Sequence, residues 1–327
     1  MYESSIVTST GKIWAQKTSG EKYVLIYNPS KDSQHRWPLA LNISEDGENY
    51  ENMLCITPEI SPCRYPGLYK NLGAQYVRGI CEYNPQPKDG GIWITYSVNK
   101  EDIWVARIPA DLSETESTKL NEVFDDFLIG AYIPNWNIYG PRLCKVRVEE
   151  YHGKRRLLML YDKDPFDRAR AMRIFPETQH AVLEITCIPF AIEEHAKVTI
   201  EIQNHCGNVP VAIYFDPDQS IYVKNSGVNY PIATYVCGRE YKIQWTIDCI
   251  NSCFKICIED GKSCYEKRGA FSQNAWSVER ILFTTKENLP YQTLEDNGKW
   301  GEIIDRREDD IETRESQFGI LSLSMIE

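Results

Sequence analysis

Apolar residues recur at every second position in short runs along this chain, the spacing of half-buried β-strands. The front third reads as "KIWAQKT" (12–18), the turn "SGE", "KYVLIYN" (22–28), the loop "PSKDSQH", "RWPLALNI" (36–43), the turn "SEDGE" and "NYENMLCI" (49–56). Four such segments separated by turn residues predict one antiparallel sheet. After a Pro-rich connection come "AQYVRGICEYN" (74–84), "IWITYSV" (92–98) and "DIWVARIPADL" (102–112), which predict a second sheet of three strands. Two similar sheets within about a hundred residues fit a propeller, whose blades recur every ~40–50 residues.

"DLSETESTKLNEVFD" (111–125) is polar and acidic and reads as a linker or short helix. Strand-length runs then return, among them "RLLMLYDKD" (156–164), "AVLEITCIPF" (181–190), "KVTIEIQN" (197–204), "PVAIYFDP" (210–217), "YKIQWTIDC" (241–249) and "CFKICIED" (253–260). Eight or more of them predict a double-sheet sandwich of jelly-roll type. Residues beyond 290 are densely charged and read as a surface tail with a short helix at "DDIETRES". The expected organisation is a front unit over 1–117, a sandwich over 118–290 and a tail over 291–327.

Composition changes this picture little. The chain is 42% hydrophobic and 25% charged, enough apolar residue for two cores. A net charge of −11 argues against a nucleic-acid or anionic-membrane partner. No apolar run approaches the roughly 20 residues of a spanning helix, and "MYESSIVTST" lacks the features of a secretion signal, which makes a cytoplasmic location the expectation. The 11 cysteines are scattered except for Cys249, Cys253, Cys257 and Cys264. Zinc wants C-x2-C knuckles, absent here, so the first three, four apart, are expected to be small core residues with reduced thiols. No metal and no cofactor is expected. "DKDPFDRARAMR" (162–173) sets acids beside arginines; without a Gly-bearing calcium loop, a salt-bridged edge is the expectation for Asp162, Asp164 and Asp167.

The turn "SEDGENY" (44–50) resembles a shortened Asp-box, in which Ser44 and Asp46 accept backbone N–H bonds, Gly47 takes a positive φ and Tyr50 lies under the loop. With "YNPSKDSQHRWPLALNISEDG", "GLYKNLGAQYVRGICEYN" and "YSVNKEDIWVARIP" in front, and "WNIYGP", "LYDKDPFDRARAMRIFP" and "PVAIYFDPD" behind, the chain resembles the sialidase-like (BNR/Asp-box) propeller family of glycan-degrading bacteria. The resemblance implies an all-β chain: a partial, about two-blade propeller followed by a jelly-roll or concanavalin-like β-sandwich. It also implies an exo-acting glycoside hydrolase with a carbohydrate partner, an acidic glycan in particular.

Sialidase-type chemistry uses arginines on a sugar carboxylate, a tyrosine nucleophile with a glutamate base, and an aspartic acid. Carried over by position, the resemblance assigns Arg36 and Arg78 to the carboxylate and Tyr76 to the nucleophile, with Trp14 and Gln16 as substrate-binding residues. Gln16 stands where the family carries its glutamate and cannot act as a base. The same residues have plainer readings: Arg36 and Arg78 as pins on backbone carbonyls, Tyr76 as a core aromatic, Trp14 as packing between sheets. Glu82, Glu101 and Asp102 are acids without a forced role, and "NKED" (99–102) reads as a hairpin turn with solvated charges.

A closed propeller needs four to eight blades, and the front third holds about two, the second short of a strand. This predicts a chain that starts within a larger protein, partners an upstream propeller fragment and lacks autonomous catalysis. The competing expectation is a non-catalytic carbohydrate-binding protein that works through the sandwich.

Overall fold

The computed structural model describes residues 6, 8, 11–30, 35–57, 72–80, 90–109, 112, 118–130, 133–141, 143–153, 155–164, 167–194, 196–286 and 315–326. Among them all regular structure is strand, and no helix is long and apolar enough to cross a membrane. The fold is all-β. Two compact units divide the chain: residues 1–116 fall in one, and residues 117–290 with the final strand fall in the other. Residues 309–314 of the helix expected at "DDIETRES" and the acid Glu82 lie outside the described residues, and Ser316 at its end is in strand.

The front unit opens with β1 (Trp14–Lys17), β2 (Tyr23–Tyr27), β3 (His35–Arg36), β4 (Leu39–Ser44) and β5 (Glu51–Thr57). Strands β1-β2-β4-β5 form an antiparallel sheet in chain order. The segment read as one strand from Arg36 is two, because Pro38 has no N–H for a ladder and breaks it. Its first piece, β3, leaves for the other sheet. That second sheet, β3-β6-β7-β8, comprises β6 (Leu72–Gly79), β7 (Ile92–Val98) and β8 (Asp102–Ile108). The expectation of three strands is thereby corrected: β3 supplies a fourth, pairing parallel to β6 through His35 with Leu72 and Arg36 with Gly73.

One apolar core joins the two sheets, with Val24, Ile26, Leu39 and Leu41 from the first and Val77, Ile92, Ile94 and Val98 from the second. The turn after β4 has the bonds expected of it. Gly47 N donates to Ser44 Oγ at 2.8 Å, and Glu48 N and Asn49 N both donate to Asp46 Oδ1 at 2.8 Å. Those donors hold the Asp46 carboxyl well below the usual carboxylate range, and Gly47 has φ +80°.

The rear unit stacks two sheets. One has the order β10-β13-β22-β15-β16-β17-β18, built from β10 (Trp136–Tyr139), β13 (Arg170–Thr178), β15 (Val198–Gln203), β16 (Val211–Phe215), β17 (Ser220–Asn225), β18 (Val228–Thr234) and β22 (Val278–Thr284). The other has the order β11-β12-β23-β14-β19-β20-β21, from β11 (Cys144–Tyr151), β12 (Arg155–Asp162), β14 (His180–Ala191), β19 (Tyr241–Asp248), β20 (Cys253–Glu259), β21 (Cys264–Ala270) and β23 (Ser316–Ile326), with β9 (Asn121–Val123) added beside β23. Every second side chain points inward, so Val198, Ile200 and Ile202 meet Leu183, Ile185, Ile243 and Trp245 in one core. Two segments not expected to form strands are therefore part of it. The segment read as a linker or short helix contributes β9, and the end of the expected tail contributes β23, an apolar strand in the interior of its sheet.

Candidate functional site

The five residues singled out in the sequence lie on β1, β3 and β6 of the front unit. Trp14 and Gln16 are half-buried on one face of β1, and Trp14 Nε1 donates to Gln16 Oε1 at 3.1 Å. The indole lies against Gly79 of β6, where a methyl group would sit only 2.3 Å from it. Trp14 is thus sheet-to-sheet packing and is held in place by it. Arg36 is half-buried beside β6, and its carbonyl accepts from Asn28 Nδ2 at 3.0 Å. The same amide reaches Pro38 O at 3.0 Å and Ala74 O at 2.9 Å, so buried Asn28 ties the start of β4 to β6.

Tyr76 is not a core aromatic: it is 49% exposed, with φ +57°. It lies in a bulge, since the pairing with β7 slips between Gln75 and Arg78. Arg78 is exposed as well, so the two side chains share the solvent side although the strict alternation is broken between them. The charge over the Tyr76 ring is the Lys100 ammonium, 5.9 Å from its centre. No described hydrogen bond joins Glu101 or Asp102 to Tyr76. In "NKED", Asn99 and Lys100 both have positive φ, as hairpin turns that follow strand twist require. Asn99, the uncharged residue of the turn, is buried, and its Oδ1 accepts from Gly73 N at 2.8 Å.

In the sandwich, the three acids of 162–167 are buried and form a closed cluster. Beside Arg168, whose backbone N–H donates to Asp167 Oδ1 at 3.0 Å, they gather Lys286, whose Nζ lies 3.1 Å from Asp162 Oδ2 and also donates to the carbonyls of Asp164 and Asp167. Thr285 Oγ1 donates to Asp162 Oδ2 at 2.6 Å and Tyr139 Oη to Asp167 Oδ2 at 2.9 Å. An ammonium fills the centre that a cation would occupy. Arg173 goes elsewhere, to a buried pair with Glu122 at 2.9 Å.

Burial pushes the Asp167 carboxyl up to about 6, with Tyr139 and the Arg168 N–H opposing. An unfolded aspartate titrates near ~4. Between these values the folded chain keeps a proton that the unfolded chain has lost, so this contribution to stability is complete below pH ~4 and lost as pH rises through about 6. Asp167→Asn is expected to match the unchanged protein near pH 4 and to gain roughly 2 kcal/mol on it by pH 7. Chemical unfolding at several pH values checks this, and a difference that stays flat with pH contradicts it.

The cysteine expectation is corrected in part. Cys249 is buried, but Phe254, Ile256 and Ile258 take the inward positions of β20, which turns Cys253 and Cys257 outward. Cys257 is joined to Cys264 of β21 as a disulfide. With Glu259 these sulfurs make the one acidic and sulfur cluster of metal-binding dimensions among the described residues, and as a disulfide they offer no thiolates.

Fold and site together define a strand-built protein with two packed four-stranded sheets in one unit and a sandwich in the other. Residues 136–298 match the family described as "Sialidase-like, CBM domain". A solved structure titled "Sialidase" is 29% identical, with a TM-score of 0.86 over 98% of this chain and 28% of that one. By these matches the chain resembles the sialidase-like family, and it spans 28% of the length of that sialidase. Lectin II from Ulex europaeus (8% identity, TM-score 0.40, covering 64% of this chain and 98% of that one) and the alginate lyase AlgAT5 (10%, 0.41, 59% and 94%) are too distant to inform the reading. No curated protein matches the sequence.

Proposed function

We propose that this chain is the C-terminal portion of a sialidase-like, exo-acting glycan-degrading enzyme. In this reading the front unit is two blades of a BNR/Asp-box propeller and the rear unit a carbohydrate-binding sandwich. The observation that carries it is the 0.86 match over 98% of the chain to a protein of which it spans 28%. Arg36 and Arg78 hold the carboxylate of an acidic sugar, a role suited to a planar guanidinium fork. Tyr76, solvent-facing beside Arg78, is the nucleophile, and Trp14 with Gln16 lines the substrate.

Catalysis needs more than this set. A tyrosine at neutral pH is a weak nucleophile without a base beside it, and Gln16 supplies none. An upstream propeller fragment brings the base and the acid. Its docking face is the outer side of the second sheet, where Ile103 is 82% exposed and Val105 and Trp93 lie alongside on paired strands.

Steady-state and single-turnover assays on sialosides and uronic-acid glycans test this. The chain alone is expected to give no turnover, and addition of the upstream fragment is expected to restore kcat to the ordinary range of about 1–10³ s⁻¹. Turnover by the chain alone overturns the reading. A second reading, a non-catalytic carbohydrate-binding protein, is favoured by the position of the family match, which falls on the sandwich. Glycan binding by the full chain with no turnover under either condition selects it.

A further inference from the structure

One end of the sandwich presents an aromatic that the fold does not use. Trp276, in the loop between β21 and β22, is 86% exposed, the most solvent-open large apolar side chain among the described residues. A single exposed apolar residue is ordinary; this one is distinguished by what holds it. Its neighbours Ala275 and Ser277 are buried, and Ser277 Oγ donates to the Glu177 carboxylate. Earlier in the loop, Ser272 N donates to Pro210 O at 2.8 Å, Gln273 Oε1 accepts from Val209 N at 2.6 Å, and Asn274 O accepts from Asn208 Nδ2 at 3.2 Å. Phe271 N reaches Ser252 O at 3.0 Å, which joins the turn carrying exposed Ile250 to the same end. The indole therefore stands on a backbone fixed at both sides, so a ligand that stacks on it has little loop ordering to offset.

We propose that Trp276 is the stacking platform of a neutral-sugar site at this end of the sandwich, with the amides of Asn208, Gln273 and Asn274 serving the ring hydroxyls. An indole face offers apolar area and a negative π surface to the C–H face of a pyranose. Side-chain amides both donate and accept, as hydroxyls require. The strand ends and loops gathered here, 176–180, 204–210, 249–252 and 271–277, contain no lysine or arginine, while Glu177 adds a carboxylate. An anionic sugar would find no lysine or arginine in these segments and one repelling carboxylate. The site is thus distinct in chemistry from the arginine-bearing front unit, and it rests on the carbohydrate-binding reading of the sandwich above.

The test uses the full chain on arrays of neutral glycans ending in galactose, glucose or N-acetylglucosamine, with sialylated and uronic-acid counterparts. Affinities follow by calorimetry for the protein as it is, for Trp276→Ala and for Trp276→Tyr. The expected result is neutral-glycan binding that falls roughly tenfold or more in Trp276→Ala and is partly kept in Trp276→Tyr. An exposed side chain can be removed without unfolding the domain, and matched melting curves confirm that it was. Neutral binding unchanged in Trp276→Ala, or binding confined to acidic glycans, overturns this inference and leaves the carbohydrate reading standing. No binding to any glycan by the unaltered protein overturns both.

Discussion

A chain that stops before residue 315 is expected to lose its sandwich. Strand β23 lies between β12 and β14 and pairs with both, Leu160 facing Phe318 on one side and Ile185 facing Leu323 on the other. Its Phe318, Ile320 and Leu323 are fully buried in the core, and Phe215 stacks edge-on against Phe318 with ring centres 5.2 Å apart. At about 1.5–3 kcal/mol for each buried side chain, the three alone contribute roughly 5–9 kcal/mol. A whole domain is stable by only about 5–15 kcal/mol. Removal also leaves two central strands with unpaired backbone groups, a cost that burial cannot relieve. The shortened protein is expected to lack the cooperative melting transition of the sandwich and to aggregate, while Phe318→Ala in the full chain shows a graded loss of about 3–5 kcal/mol. Retention of a normal transition by the shortened protein would show that β12 and β14 close without this strand.

That strand is also the clearest case of what was and was not legible. The period-2 pattern picks out the longer strands of the front unit and β12–β17, β19 and β20 of the rear, where apolar faces meet a core, and does not pick out β10, β11, β18, β21 or β22. It misses β23 because a long, densely charged stretch precedes that alternating run, and β9 because three residues are too few for a period. It failed differently for the acids of 162–167. Spacing correctly made them an ionic cluster, but Lys286 lies more than a hundred residues away and no local pattern points to it. For Cys253 and Cys257 the alternation rightly put both on one face; which face was decided by Phe254, Ile256 and Ile258 between them. The site shows the same division. Arg78 and Tyr76 share the solvent side, yet through a bulge that alternation does not foresee. Trp276 sits in a loop, where periodicity has nothing to say, and its exposure emerges only once the strands on either side are placed.

Gly73→Ala is expected to damage the front unit more than any other single methyl group there. Gly73 has φ +91°, a conformation that a side chain strains, and an added Cβ would lie 2.4 Å from Arg36 O and 2.8 Å from its carbonyl carbon. Backbone cannot swing aside as a flexible side chain can. Relief requires β3 to move off β6, which breaks the parallel bridge at Arg36 and Gly73 and disturbs the carbonyls gathered by Asn28. On the other side, Gly73 is fixed by Asn99, which accepts from its N–H and donates its own N–H to Gly73 O at 3.0 Å. Strain of about 1–3 kcal/mol and overpacking of about 1–3 kcal/mol both apply, so a loss near ~4 kcal/mol is expected in chemical unfolding of this unit. Gly47→Ala is the control. Gly47 also has a positive φ, +80°, but its added Cβ would meet the Tyr23 ring at an ordinary 3.5 Å. The control is expected to cost about 1 kcal/mol, from backbone strain alone. Equal losses in the two variants would mean that β3 gives way freely, and that the fold does not hold Arg36 beside the strand bearing Tyr76 and Arg78.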